Sequence, residues 1–160
     1  MTDKVQAIIM AAGRSSRFKT NRSKLVEKIC GQEMVLFSTK ILEELQIPTV
    51  VIVGYKKEEL QKVITKQHGT RINFVEQLEQ KGTAHALMCS KDFWHAEHIL
   101  IMNADMPLVP KKLLMDLWEK HLAKQAVCSF VTTHTFDPAF ASYGKVIETG
   151  QEIKIIEAKD

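Results

Sequence analysis

Short runs of β-branched and aliphatic residues alternate with longer stretches of helical periodicity along this chain. Residues 5–10 and 49–53 are almost continuously apolar, which is typical of strands that are covered on both faces. Between them, residues 34–45 carry apolar side chains at helical spacing, and Pro48 lies just beyond. Strands alternating with helices in this way predict a parallel sheet. We therefore predict an α/β fold, with a mostly parallel central sheet and helices on both faces.

The same alternation continues through most of the remaining sequence. We predict a helix over residues 58–66, a strand over 72–75, a helix over 84–89 capped by Thr83, and a strand over 98–103. A further helix should begin near Pro110, and residues 127–133 should form a fifth strand. Residues 143–148 and 153–157 flank a turn and predict a β-hairpin. Because the sequence shows no linker and no internal repeat, we predict one domain over residues 1–160.

The charge and the cysteines limit the class of protein. The chain has 22 basic and 19 acidic side chains, a formal charge of +3, which does not favour binding to nucleic acid or to a membrane surface. Cys30, Cys89 and Cys128 are far apart, as expected of free thiols in a reducing compartment. The sequence contains neither a signal peptide pattern nor an apolar stretch long enough to span a bilayer. We therefore expect a cytoplasmic protein.

The loop after the first strand combines small residues with basic ones. Ala11, Ala12 and Gly13 leave room for backbone N–H groups to approach an anion, and Arg14, Arg17 and Lys24 add positive charge. The sequence matches neither the P-loop nor the dinucleotide-binding pattern, so side-chain cations would carry most of the binding. This loop indicates a triphosphate site, although a tight turn with a solvated basic face is the alternative.

A second polar segment, Asn103-Ala104-Asp105, follows the fourth predicted strand. Because ligands of open α/β sheets bind at the carboxyl ends of the strands, Asp105 should face the same edge as the first loop. Mg²⁺ takes one or two carboxylates together with phosphate oxygens and water, so Asp105 is a candidate ligand for it. The alternative is that Asp105 caps the helix that follows.

A third segment runs from Gln77 to Ala86, after the third predicted strand. The amide of Gln77 has a donor and an acceptor group and could read the edge of a base. Gly82 permits close approach of the backbone, and Thr83 offers a hydroxyl at a helix N-terminus. A loop that leads into a capped helix would also account for Gly82 and Thr83. His95 and His98 have no third ligand at zinc spacing, so we expect no zinc site.

Five short blocks now identify a resemblance. They are Ala11-Ala12-Gly13 with Arg17 and Lys24; Gln77 with Gly82-Thr83-Ala84-His85-Ala86; Ala104-Asp105-Met106-Pro107-Leu108; Tyr143-Gly144-Lys145; and Ile156-Glu157-Ala158-Lys159-Asp160. In their order and spacing they resemble the N-terminal uridylyltransferase (pyrophosphorylase) domain of bacterial bifunctional N-acetylglucosamine-1-phosphate uridyltransferases, in the nucleotidyltransferase superfamily. The resemblance implies a Rossmann-like nucleotidyltransferase fold that joins UTP to N-acetylglucosamine 1-phosphate and releases pyrophosphate.

The resemblance also implies a role for individual residues. Arg17 and Lys24 would be catalytic and would contact the triphosphate, and Asp105 would bind Mg²⁺. The acetylated sugar would be contacted by Asn103, Gly144 and Glu157. The nucleotide would be held by Met10, Ala11, Ala12, Gly13, Gln77, Gly82 and Thr83.

Several departures from the family pattern keep other functions open. Ser15 and Ala104 stand where the family usually has glycine, and Ser23 stands where it has proline. The run at residues 15–18 is closer to cytidylyltransferases that act on the molybdenum cofactor. The family's catalytic domain extends beyond the position of Asp160, and its β-helix acetyltransferase half has no counterpart here. A related nucleotidyltransferase with another acceptor and a nucleotide-binding module without turnover are therefore alternatives. For partners, a homo-oligomer or a separate partner chain is left open.

Overall fold

A computed structural model of the protein describes residues 4–14, 22–137, 144–150 and 152–156. Two short 3-10 helices span Lys24–Val26 and Lys91–Phe93. The chain divides into two compact units, Met1–Lys111 and Lys112–Asp160, and the single domain expected from the sequence stays a prediction. In chain order the strands and helices are β1 Val5–Ala11, β2 Lys28–Ile29, β3 Gln32–Glu33, α1 Met34–Glu44, β4 Thr49–Val53, α2 Lys57–His68, β5 Ile72–Glu76, α3 Thr83–Cys89, β6 His98–Asn103, α4 Lys111–Ala123, β7 Lys145–Thr149 and β8 Glu152–Ile156.

The first unit is built on a four-stranded sheet in the order β5-β4-β1-β6, and all of its neighbouring strands are parallel. Met10 of β1 pairs with Ile52 of β4 on one side and with Asn103 of β6 on the other. Because the strands are parallel, the loops after all four of them emerge at the same edge. The parallel α/β architecture predicted from the sequence is confirmed.

Both faces of this sheet are covered. Ile8, Val50 and Ile52 lie on one face and form a buried cluster with Ala86 of α3. The residues between them point to the opposite face, and all five residues of β4 are buried. Helix α2 contacts both β4 and β5. The continuous apolar runs therefore mark two-sided burial, as the sequence predicts, and the helices lie on both faces.

A buried histidine joins α1 to the end of α2. His68 is only 2% exposed, and its Nε2 lies 2.8 Å from Oγ1 of Thr39 while its Nδ1 lies 3.1 Å from Oε2 of Glu43. Since an ionised carboxylate only accepts hydrogen bonds, Nδ1 donates to Glu43. The Thr39 hydroxyl contacts Nε2 and also lies 3.4 Å from the carbonyl oxygen of Leu36. Desolvation by burial lowers the pKa of His68 from its usual value. The folded protein therefore favours the neutral ring.

We expect the stability of the protein to fall as the pH is lowered below about 6.5. With the pKa of His68 lowered in the folded state, the unfolded chain binds the proton first, so the stabilisation is present above the unfolded pKa and is lost below it. Each unit of pKa difference corresponds to about 1.4 kcal/mol. Urea unfolding between pH 8 and 5 should show a steeper loss in the wild type than in His68→Gln. Equal slopes in the two proteins would contradict this expectation.

The start of α3 differs from the prediction. Thr83 is the first residue of the helix, and the N-cap position is taken by Gly82, whose φ is +96°. No side chain caps this helix; the carbonyl oxygen of Gly82 accepts from the N–H of Ala86, 3.1 Å away. The predicted capping role of Thr83 is therefore wrong, because glycine adopts the left-handed region without steric cost and sets the entry to the helix.

The predicted fifth strand, over residues 127–133, is also wrong. The structure describes this segment and assigns it no strand, and the side chains of Val127, Phe130 and Val131 are exposed. β-branched residues favour a strand mainly through packing against neighbouring strands. Since no described strand pairs with this segment, its sequence pattern alone does not produce one.

The second unit contains α4 from Lys112 onward and an antiparallel hairpin. Strand β7 pairs with β8 from Lys145 opposite Ile156 to Thr149 opposite Glu152, and Gly150 in the turn has a φ of +63°. The predicted hairpin is confirmed within the described residues. Across the described ranges of both units, no helix is both long enough and apolar enough to cross a lipid bilayer.

Candidate functional site

A pocket of about 410 Å³ lies in the first unit, where the loops after β1, β5 and β6 come together. This is the edge at which open α/β sheets bind their ligands. All the site residues predicted from the first unit that the structure describes line this pocket, together with Leu25, Gln80 and Ala86. Those predicted residues are Met10, Ala11, Ala12, Gly13, Lys24, Gln77, Gly82, Thr83, Asn103 and Asp105.

Three predicted residues are not placed in the pocket. Arg17 and Glu157 lie outside the described residues. Gly144 belongs to the second unit, directly before β7. The catalytic role expected for Arg17 and the sugar-binding roles expected for Gly144 and Glu157 stay predictions.

The turn after β1 is held by a hydrogen bond from a distant loop. Nε2 of Gln80 donates to the carbonyl oxygen of Ala12 at 2.7 Å, and the backbone N–H of Tyr55 approaches the same oxygen at 3.4 Å. Because a trans peptide is planar, fixing this carbonyl directs the N–H of Gly13 to the opposite side. Sequence reasoning missed Gln80, although it is an amide in the same polar segment as Gln77.

Gly54, which follows β4 directly, lies very close to the same turn. A Cβ atom at Gly54 would lie 2.9 Å from the carbonyl oxygen of Ala12 and 3.0 Å from its Cβ. Both contacts are with atoms that have little freedom to move, so only glycine fits without displacing the turn. The loops after β1 and β4 are therefore in direct contact behind the pocket.

We expect Gly54→Ala to lower the free energy of unfolding by about 1–3 kcal/mol, as overpacking of a close contact does. The shift of the turn should also weaken nucleotide binding. Urea unfolding and isothermal titration calorimetry would measure the two effects. If both quantities stay at the wild-type level, the close approach seen at Gly54 does not constrain the turn.

Gly13→Ala is the matched control, because a Cβ at Gly13 meets nothing within 4 Å. Gly13 lines the pocket, so the added methyl group should occupy ligand space while leaving stability within about 0.5 kcal/mol of the wild type. Gly54→Ala should thus lose both stability and affinity, whereas Gly13→Ala should lose affinity alone.

Lys24 and Asp105 form an ion pair at the pocket, with Nζ and Oδ2 2.6 Å apart. Lys24 begins a 3-10 helix whose Leu25 and Val26 are buried, and the N–H of Leu25 donates to Oγ of Ser23 at 3.3 Å. Ser23 thus caps this turn in the position where the family usually has proline. Burial of the apolar residues anchors the turn and places the ammonium group over the pocket.

Asp105, the acidic partner of this ion pair, is held close to the loop after β1. The N–H of Ala104 donates to the carbonyl oxygen of Met10 at 3.2 Å, which brings Asp105 to the end of β1. Because Asp105 pairs with Lys24 and α4 begins only at Lys111, the alternative that Asp105 caps the next helix is wrong.

The described residues of the pocket offer few ligands to a metal ion. The part of the chain that the structure describes contains no group of three or more His, Cys, Asp or Glu side chains able to hold a metal ion. Asp105 is the one carboxylate among the described residues that line the pocket. A single carboxylate suits Mg²⁺, which completes its shell with phosphate oxygens and water, and does not suit a site built from protein ligands alone.

The loop after β5 is held by the side chain of Gln77, which is only 5% exposed. Its Nε2 donates to the carbonyl oxygen of Gly82 at 3.2 Å and lies 3.0 Å from Nδ1 of His85. The backbone N–H of Gln77 donates to the carbonyl oxygen of Val53 at 2.8 Å. Gln77 is therefore a fixed polar group in the pocket wall, where it could contact a base.

Comparison with known proteins supports the resemblance described in the sequence analysis. The chain is 36% identical to the bifunctional protein GlmU of Shouchella clausii, in a match that covers 96% of this chain. It is 34% identical to the bifunctional protein GlmU of Caldicellulosiruptor saccharolyticus, in a match that covers 100% of this chain. These matches cover 34% and 35% of the two relatives, so the chain spans about a third of their length. The resemblance found in the sequence is confirmed.

A solved structure of low sequence identity shares the fold. The structure of a putative glucose-1-phosphate thymidylyltransferase from Bacillus anthracis is 17% identical, with a TM-score of 0.70, and the match covers 97% of this chain and 65% of that one. Residues 7–151 match the MobA-like NTP transferase domain. The predicted Rossmann-like nucleotidyltransferase fold is confirmed, and the chain belongs to the family of MobA-like NTP transferase domains.

Proposed function

We propose that this chain is a sugar-phosphate nucleotidyltransferase that joins UTP to N-acetylglucosamine 1-phosphate and releases pyrophosphate. The observation that carries the proposal is the Lys24–Asp105 pair, which lies in one pocket with the Gly13 turn and the Gln77 loop. The similarity to the two bifunctional GlmU proteins supports the choice of nucleotide and sugar.

The protein contributes to this reaction mainly by positioning the two substrates and by neutralising phosphate charge, and little covalent chemistry is required of it. A phosphate oxygen of the sugar 1-phosphate attacks the α-phosphorus of UTP, and the bond from that phosphorus to the bridging oxygen breaks. That oxygen leaves with pyrophosphate and carries the electron pair of the broken bond. Negative charge builds on the leaving group, so a fixed cation beside it lowers the barrier.

Lys24 is the described side chain that supplies this charge in the pocket. Its ammonium group is a compact cation on a flexible stem, so it can exchange the Asp105 carboxylate for phosphate oxygens. Arg17 would add a second cation, as the family resemblance implies. The Gly13 turn would carry the triphosphate, with its peptide oriented by the bond from Gln80 to Ala12.

Asp105 would hold Mg²⁺ together with oxygens of the triphosphate. When bound, the ion would neutralise charge on the reacting phosphates. Asn103 lies at the end of β6 in the same pocket, where it would contact the sugar. Gly144 and Glu157 would complete that contact.

The direct test is to incubate the purified chain with Mg²⁺, UTP and N-acetylglucosamine 1-phosphate and to measure pyrophosphate release. CTP in place of UTP, and glucose 1-phosphate in place of the acetylated sugar, serve as controls. Release that depends on UTP and on the acetylated sugar would support the proposal. Binding of UTP with no turnover at high protein concentration would overturn it in favour of a nucleotide-binding module.

A related nucleotidyltransferase with another acceptor is the second candidate, since the family match is to the MobA-like domain. The pyrophosphate-release assay distinguishes the two candidate functions when the nucleotide is varied first and the acceptor second. Turnover with CTP or GTP and a molybdenum-cofactor type of acceptor, without turnover of UTP and N-acetylglucosamine 1-phosphate, would favour it.

A further inference from the structure

The side-chain amide of Gln77 makes two contacts through a single atom. Its Nε2 lies 3.2 Å from the carbonyl oxygen of Gly82 and 3.0 Å from Nδ1 of His85. The amide nitrogen has two hydrogens to donate. One hydrogen therefore goes to the backbone of the loop, and the other to the imidazole ring on α3.

These contacts fix the orientation of the amide and the protonation of the ring. A backbone carbonyl only accepts, so the nitrogen and not the oxygen of the Gln77 amide must face Gly82. His85 then meets an N–H donor, and its Nδ1 must carry a lone pair. The ring is therefore neutral, with its hydrogen on Nε2. If Nδ1 carried a hydrogen, two donors would face each other, and the amide would be pushed to rotate.

We infer that His85 is a positioning residue that keeps the carbonyl oxygen of Gln77 as the hydrogen-bonding group presented to a base. Neither of the two contacts of Nε2 uses this oxygen, and Gln77 lines the pocket. His85 is not among the residues that line it, so it acts through Gln77. The inference rests on the proposed function, since it concerns how a pyrimidine nucleotide is chosen in the same pocket.

An acceptor at this point distinguishes the two common pyrimidines. Ring atom N3 of uracil carries a hydrogen and can donate to the Gln77 oxygen, whereas N3 of cytosine carries a lone pair and would oppose it. A buried acceptor set against another acceptor loses a hydrogen bond and its solvation at the same time. His85 should therefore favour uridine over cytidine nucleotides, by about tenfold for one such contact.

Two substitutions at His85 distinguish its positioning of the Gln77 amide from a purely packing role of the His85 side chain. In His85→Asn the side-chain oxygen can take the place of Nδ1 and accept from Gln77, whereas His85→Leu removes the acceptor and keeps an apolar side chain. Affinities for UTP and CTP would be measured by calorimetry with each full-length chain, and circular dichroism would check the fold. We expect the wild type and His85→Asn to prefer UTP by about tenfold, and His85→Leu to lose this preference.

A His85→Leu protein that binds UTP and still prefers it to CTP as the wild type does would overturn the inference while leaving the proposed function intact. The absence of UTP binding in the wild type would instead overturn the proposed function, and the base preference with it.

A second measurement needs no ligand. In ¹⁵N nuclear magnetic resonance spectra of the ligand-free chain, His85 should show the neutral form with hydrogen on Nε2. The side-chain amide signals of Gln77 should move in His85→Leu and stay near their wild-type positions in His85→Asn. A hydrogen on Nδ1 of His85 would overturn the inferred contact between His85 and Gln77, whatever the chain binds. Gln77 amide signals that stay unchanged in both variants would overturn it as well.

Discussion

Replacing Asp105 with alanine should reduce Mg²⁺-dependent pyrophosphate release by about 10²–10³-fold, in line with the loss of one preorganised charge-stabilising group. Asp105 is the one carboxylate among the described pocket residues, so its removal would leave the proposed Mg²⁺ site without a carboxylate there. The loss should appear mainly in kcat, because the charge that the ion neutralises grows as the leaving group departs.

The same substitution should leave the fold almost unchanged. The side chains of Lys24 and Asp105 are 32% and 42% exposed, and ion pairs with this degree of exposure contribute only about 0–1 kcal/mol. Asp116→Ala is the matched control, because Asp116 pairs with Lys112 on the exposed surface of α4 at 2.7 Å. It should retain full activity. Wild-type turnover by Asp105→Ala would rule out the metal role of Asp105.

Replacing Lys24 with methionine should weaken UTP binding at least tenfold and slow turnover by about 10²-fold. Methionine keeps an unbranched, flexible apolar side chain and removes only the charge, so the buried anchor at Leu25 and Val26 should be unaffected. Calorimetry at low and high salt would measure the binding. The affinity of the wild type should decline more steeply with salt than that of Lys24→Met, because the lost contact is between opposite charges.

Lys112→Met is the control for this substitution, since it removes the lysine of a second Lys–Asp pair on the surface. It should bind UTP as the wild type does. Lys24→Arg should recover part of the affinity but less of the turnover, because a planar guanidinium does not replace a compact ammonium group at a close contact. If Lys24→Met binds UTP with wild-type affinity, the basic loop is only a solvated surface.

The parallel sheet could be predicted from the sequence because strands that are buried on both faces have almost continuously apolar sequences. Strands β1 and β4 are buried along almost their whole length, and most of their buried residues are apolar. Residues 127–133 have a similar composition but no strand to pair with, so the same pattern gave a wrong prediction. Local composition indicates which segments can form strands, and long-range pairing decides which of them do.

The pocket residues could be predicted for a related reason. Loops after parallel strands must meet at one edge, so the topology alone brings Gly13, Gln77 and Asp105 together. The contacts that hold them could not be predicted in this way. Lys24 and Asp105 are 81 residues apart, and Gln80 is 68 residues from Ala12. Nothing in the local sequence of Gln80 or Gly54 shows which backbone atoms they will meet.

The Lys24–Asp105 pair also bears on the order in which ligands enter. The Asp105 carboxylate has the Lys24 ammonium group at 2.6 Å, so a metal ion that binds there alone would displace the ammonium group and leave it without a partner. A metal ion carried on a triphosphate brings oxygens that can accept Lys24 at the same moment. If Asp105 binds Mg²⁺ as proposed, it should therefore bind the free ion weakly and the magnesium–nucleotide complex well, because Lys24 and Asp105 then both gain new partners.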